Sequence, residues 1–150
     1  MLSYRYHEQI NNIMINKRYV TNNLYKTLSG HPRTPWTVKF HPNNSRYVVS
    51  GCLGFEIRLW DITTGQCLHQ ATLRHAIISL SFHPFGDLIA IASGNSVYLW
   101  DYQNRVPIIA IVCPTSLRCV YFTSKGTRIL IGQSNATRPV HSFFYYNSLS

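Results

Sequence analysis

Acidic residues are the scarcest feature of this 150-residue chain: 5 Asp plus Glu stand against 14 Lys plus Arg, a net charge of +9 with His neutral. Acid–base catalysis has little to draw on, because two of the five acids belong to Trp-Asp pairs and only Glu8, Glu56 and Asp87 remain. No apolar run approaches the roughly 18–20 residues that cross a bilayer, so no membrane span is expected. The opening Met1-Leu2-Ser3-Tyr4-Arg5-Tyr6-His7-Glu8 has no apolar block behind its basic residue, so no secretory leader is expected. The cysteines Cys52, Cys67, Cys113 and Cys119 form no C-x-x-C pair and no finger spacing with His, which leaves reduced structural thiols and no metal site. Gly-x-Ser-x-Gly, phosphate-loop and His-Glu-x-x-His patterns are all missing; no enzyme and no cofactor are expected.

The basic excess is spread thinly. Lys17-Arg18 is the only adjacent pair of cations, and no basic run is interleaved with aromatics as a nucleic-acid platform requires. Nucleic acid is therefore not the expected partner. A cationic surface for RNA or phospholipid head groups stays open as the alternative, although no Phe-Arg-Arg-Gly type pair is present.

What the chain does have is a repeat. Val38-Lys-Phe-His-Pro, Tyr47-Val-Val-Ser-Gly and Phe55-Glu-Ile-Arg-Leu-Trp-Asp are echoed by Leu80-Ser-Phe-His-Pro, Leu88-Ile-Ala-Ile-Ala-Ser-Gly and Ser96-Val-Tyr-Leu-Trp-Asp. A weaker third copy runs from Val120 to Gly132. The anchor Phe recurs at 40, 82 and 122, and Trp-Asp at 60–61 and 100–101, a period near 40. Each unit reads as strands. Phe55, Ile57 and Leu59 alternate with Glu56, Arg58 and Trp60, which predicts a strand with Glu56 facing solvent. The continuous runs Tyr47–Val49 and Leu88–Ala92 predict inner strands covered on both faces. Gly and Pro turns separate them, and a fourth strand is expected at about Cys67–Leu73 and Val106–Val112.

Four strands per forty residues, with Gly30-His31, Ser50-Gly51 and Trp60-Asp61, resemble the WD-repeat family over residues about 24 to 132. The second unit has Ser93-Gly94 and Trp100-Asp101, with His75 after Arg74. The resemblance implies an all-β partial propeller of about two and a half to three four-stranded antiparallel blades, with the ring not closed. The expected layout is a short helical or poorly ordered segment over 1–23, a leading strand at 24–28, blades at 35–73 and 76–112, a weak blade at 117–146, and a tail or last strand over 134–150. Two and a half blades cannot close, so apolar sheet flanks should be exposed and the chain reads as a fragment or as needing another segment.

In that family a His, a Ser, the Trp indole N–H and a turn Asp form a buried hydrogen-bonded chain. The resemblance thus implies a structural set of His31, Ser50, Trp60, Asp61, His75, Ser93, Trp100 and Asp101. The turn Asp is missing: Gly54 occupies its place in the first blade, and the second is shortened to Asn95-Ser96, so both networks should be incomplete. Ser29–Trp36, with Phe40-His41-Pro42, Ser50–Leu53, His75–Pro84 and Arg105-Val106-Pro107, is similar to the amino-terminal repeats of Ambra-like proteins, which are Beclin-associated autophagy regulators. That resemblance implies a non-catalytic scaffold acting as substrate receptor for a cullin-RING ubiquitin ligase in autophagy initiation. Its partners would be the ligase adaptor, Beclin-type proteins and the remaining propeller half, in the cytoplasm and also the nucleus. Arg33, Trp36, Arg74 and Arg105 are the candidate partner-binding rim. A generic WD-repeat scaffold or an incomplete gene product are the other readings.

Overall fold

A computed structural model of the chain describes residues 27–103, 106–134 and 142–147, the last of these by backbone. All regular structure among the described residues is β-strand, in three antiparallel sheets. The first blade is β1 (Pro35–Phe40), β2 (Tyr47–Cys52), β3 (Glu56–Asp61) and β4 (Gln66–Thr72), paired in chain order. The second is β5 (Ile77–Phe82), β6 (Ile89–Ser93), β7 (Ser96–Trp100) and β8 (Ile108–Val112). The third contains β9 (Leu117–Phe122), β10 (Arg128–Gln133) and β11 (Ser142–Asn147). The blades follow one another through their first strands, β1 against β5 and β5 against β9, without closing a ring.

Two apolar layers hold the blades together. Ile89, Ile91, Tyr98 and Trp100 of the second blade pack with Val49, Ile57 and Leu59 of the first. Their neighbours in sequence, Ala90, Ala92, Val97 and Leu99, pack with Leu117, Val120, Ile129 and Ile131 of the third. Because successive side chains leave opposite faces of a strand, a strand covered on both sides must be apolar at every position. That is why β6 reads Ile-Ala-Ile-Ala; each fully buried Ile stabilises by roughly 1.5–3 kcal/mol.

The Phe-His-Pro repeat is the second fastening. The His41 ring packs on Phe82 of the next blade at 5.1 Å, and His83 packs on Phe122 at 5.1 Å. Within its own turn, His41 Nδ1 accepts backbone N–H bonds from Asn43 and Asn44, and His83 Nδ1 accepts one from Phe85. The next blade's turn brings a glycine against each ring: a Cβ on Gly86 would stand 2.2 Å from His41 Cε1, and one on Gly126 2.1 Å from His83 Nε2. With φ of +87° and +71°, neither position suits any residue but glycine. Asn43 Nδ2 adds a bond of 3.0 Å to the Pro84 carbonyl. Between the second and third blades the Ser79 and Ser81 hydroxyls accept the Val120 and Phe122 amides.

Several expectations need correction. Phe55 does not begin the third strand: it has φ +73°, is exposed, and the strand starts at Glu56. Glu56 is not simply solvent-facing, since its carboxylate bonds the Arg58 guanidinium and its side chain is only 23% exposed. The bare apolar flank is not found on the first blade: Val48, Cys52 and Trp60 alternate with the residues that face the second blade, yet all three are buried. Exposed apolar surface lies instead on the outer strand β8, where Ile108 and Val112 are 61% and 65% exposed. Of the leading strand expected at 24–28, Thr27 and Leu28 carry no strand structure and the rest lies outside the described residues, as does 1–23. Of the segment 134–150, Ser142–Asn147 is a strand paired with β10.

Candidate functional site

The first blade builds a polar chain across its sheet. Trp60 stands opposite Val48, which puts Ser50 two residues further along the neighbouring strand and under the indole. Trp60 Nε1 donates to Ser50 Oγ at 2.7 Å, and Ser50 Oγ lies 2.6 Å from His31 Nε2. An indole N–H can only donate, so Ser50 Oγ accepts from Trp60 and shares its second hydrogen bond with His31 Nε2. Nδ1 is buried without a partner, as fits the glycine at position 54 where a turn carboxylate would otherwise serve it. Burial lowers the His31 pKa from its ordinary value, and the neighbouring Arg58 charge lowers it further while Glu56 opposes. The ring stands edge-on to Trp60 at 5.9 Å, and the Arg58 guanidinium lies 5.7 Å over the indole.

Asp61 does separate work at the opposite end of β3. Its Oδ1 accepts the Thr63 amide at 2.9 Å and hydroxyl at 2.6 Å, which closes the turn into β4, while Oδ2 accepts Arg46 Nε at 2.8 Å. The Arg46 bond is the main reason its carboxyl titrates well below the usual carboxylate range. Asp101 repeats the turn bond, accepting the Gln103 amide at 3.0 Å.

The second blade does not form the corresponding chain. Trp100 pairs with Ile89, so the position equivalent to Ser50 is Ile91, not Ser93. Trp100 is fully buried and its Nε1 has no acceptor. Ser93 aligns instead with Cys52, and its hydroxyl donates to the His75 carbonyl at 2.8 Å while the His75 side chain is exposed. The spacing carries the signal: Ser to Trp is ten residues in the first blade and seven in the second. In the third blade Tyr146-Asn147 stands at the Trp-Asp register, opposite Ile129, and Ile131 takes the serine position.

Of the candidate rim, Arg33 and Arg74 are exposed, Trp36 is 42% exposed, and Arg105 lies outside the described residues. Arg33, Trp36 and Arg74 share one end of the blades: Leu53 N bonds Thr34 O at 3.1 Å, and Leu73 N bonds Phe55 O at 2.8 Å, tying together the loops that carry them. Neither Arg33 nor Arg74 makes an ion pair among the described residues. Phe55, at the same end and 43% exposed, escaped the sequence reading, which took it for the first inward residue of a strand. The opposite end holds Asp61, Asp87 and Asp101, with a shallow depression between His83, Asp87, Leu88 and Asp101. No cluster of three His, Cys, Asp or Glu placed to hold a metal occurs among the described residues, and no described helix is long and apolar enough to cross a membrane. The described Cys thiols are free. What the arrangement offers is a sheet end, its loops tied by backbone bonds, presenting aromatic and guanidinium groups.

Comparison with known proteins agrees with this architecture. The family model "WD domain, G-beta repeat" matches residues 22–61 and 65–101. The chain is 38% identical over 125 residues to "Activating molecule in BECN1-regulated autophagy protein 1A" of Danio rerio, covering 75% of this chain and 10% of that protein. It is 34% identical over 130 residues to protein 1B of the same name and organism, covering 78% and 10%. It is also 32% identical over 93 residues to "U3 small nucleolar RNA-associated protein 21" of Saccharomyces cerevisiae, covering 61% and 10%. The chain thus spans about a tenth of the length of these relatives. The first match closes at the end of β3 and the second runs from β4 to the end of β7, one strand out of step with the blades, and the chain belongs to the WD40-repeat family.

Proposed function

We propose that this chain forms part of a non-catalytic protein-interaction scaffold of the Ambra type, serving a cullin-RING ubiquitin ligase as substrate receptor and regulating autophagy initiation. The observation that carries the reading is similarity, over about three quarters of the chain, to two proteins whose names place them in BECN1-regulated autophagy. The mechanism is presentation. Blades fastened by His–Phe packing hold the loop end around Arg33, Trp36 and Arg74 in fixed positions, and ubiquitin transfer takes place on other subunits. The ligase adaptor and a Beclin-type protein are the proposed partners, in the cytoplasm and the nucleus. The test is co-purification of the full-length product with the cullin adaptor and with Beclin. Association with both supports the reading; no association, with the blades folded, removes it.

A second reading is RNA binding, favoured by the +9 net charge and by the likeness to a U3 small nucleolar RNA-associated protein. Affinity for single-stranded RNA that falls steeply with salt supports it, and no binding at low salt ends it.

A further inference from the structure

The turn between β2 and β3 is three residues long, Leu53-Gly54-Phe55. A three-residue hairpin loop calls for a left-handed backbone at its last position, where glycine is the residue of lowest cost. Here that position is Phe55, with φ +73°, and the glycine sits one residue earlier. Position 54 has its own need: a Cβ there would stand 2.8 Å from Pro32 Cγ and 3.3 Å from Arg33 Cβ. A left-handed conformation in a bulky residue persists only where its surroundings over-determine it. Phe55 is held on both sides, its amide by the Cys52 carbonyl at 3.3 Å and its carbonyl by the Leu73 amide at 2.8 Å. The result is an aromatic ring 43% exposed at the blade end, held there at a cost in backbone strain.

Its surroundings are cationic. The Arg33 side chain lies against Gly54, and Arg74 follows directly on the residue whose amide fixes Phe55. Trp36 sits at the irregularity between Pro35 and Thr37, where β1 pairs with the last residues of β2 before this turn. Glu56 is the one described acid at this end, and Arg58 neutralises it; Asp61, Asp87 and Asp101 are all at the other end. Exposed aromatics beside guanidinium groups that have no ion pair and no free carboxylate near them among the described residues match a segment rich in carboxylates that also carries an apolar side chain.

Resting on the scaffold reading, and naming the chemistry of its partner, we propose that Phe55, Trp36, Arg33 and Arg74 form a docking surface for an extended acidic segment of another protein. Its carboxylates pair with the two arginines, and its apolar residue packs on the Phe55 and Trp36 rings.

The test uses the full chain and labelled peptides of alternating Glu and Leu, Gln and Leu, or Lys and Leu. The Glu-Leu peptide is expected to bind at least about tenfold more tightly than the others, with affinity falling as salt rises. Phe55→Gly is the informative variant: glycine suits the backbone there, so the melting transition should hold or rise while Glu-Leu affinity drops about tenfold. Should Phe55→Gly melt early, the exposed pair Arg33→Glu and Arg74→Glu decides, with the same loss expected. Equal binding of all three peptides, or unchanged binding by these variants, overturns the proposal. Single-stranded RNA binding that these variants abolish, with the Glu-Leu peptide inert, also overturns it. Failure of co-purification with the ligase adaptor would strike the proposed function and leave this peptide result intact.

Discussion

The first and second blades share strand number, strand order and the Phe-His-Pro and Trp-Asp anchors, yet their interiors are held differently. In the first blade Trp60 is bonded to Ser50 and through it to His31. In the second, Trp100 is buried in the apolar layer between the first and second blades with its N–H unserved. The position of each blade accounts for the contrast. The second blade is covered by neighbours on both faces, so apolar burial alone can hold its register, and an isoleucine at position 91 contributes more than a hydroxyl. Against Trp60 lie the His31 ring, edge-on, and the Arg58 guanidinium, and a polar bridge through Ser50 fixes the His31 contact.

The largest way to break the contrast is Ser50→Ala. It leaves Trp60 Nε1 and His31 Nε2 without their partner and should cost about 1–3 kcal/mol, read from denaturant midpoints; Ser93→Ala, losing one neutral bond to a carbonyl, should cost about 1 kcal/mol or less. Next, Trp60→Phe should destabilise by about 1–2 kcal/mol more than Trp100→Phe, because only the first removes a made bond while the second removes an unpaired buried donor. The hairpin turns give an opposite pair. The second blade turns through Gly94-Asn95 with Gly94 at φ +60°, so Gly94→Ala should destabilise by about 1–2 kcal/mol; Phe55→Gly should stabilise by about 1 kcal/mol. The smallest effect is that of pH. The folded-state pKa of His31 lies below its unfolded value of about 6.5, so its contribution is fully present above that pH and is lost as the ring protonates on acidification. A pH series of melting curves should show wild-type stability falling below about pH 6.5 more than that of His31→Asn. Asp61 acts in the same direction at lower pH, its contribution present above the ordinary carboxylate range and lost below it.

Much of the fold was legible in the sequence, because both anchors lie in one register: Phe40 and Trp60 oppose Val48, and Phe82 and Trp100 oppose Ile89. The networks were only half legible. Matching Ser93-Gly94 to Ser50-Gly51 by residue type hides the shorter hairpin, which moves Ser93 to the turn; the seven-residue spacing to Trp100 was the available clue. Apolar runs were ambiguous for a physical reason. Ile89–Ala92 and Ile108–Val112 look alike in composition, but the first lies between two blades and the second on an outer edge, and only tertiary packing separates them. Phe55 was misread because alternation counts hydrophobicity and is blind to the sign of φ. The packing of the Phe-His-Pro histidines on the next blade's phenylalanine crosses about forty residues, beyond the reach of local pattern.

A pair of double-mutant cycles tests the contrast between the blades most directly. Combining Ser50→Ala with Trp60→Phe should reveal a coupling of about 1–2 kcal/mol, whereas Ser93→Ala with Trp100→Phe should be additive within about 0.5 kcal/mol. Equal coupling in the two cycles would show that both serines serve their tryptophans and would contradict the register described for the second blade.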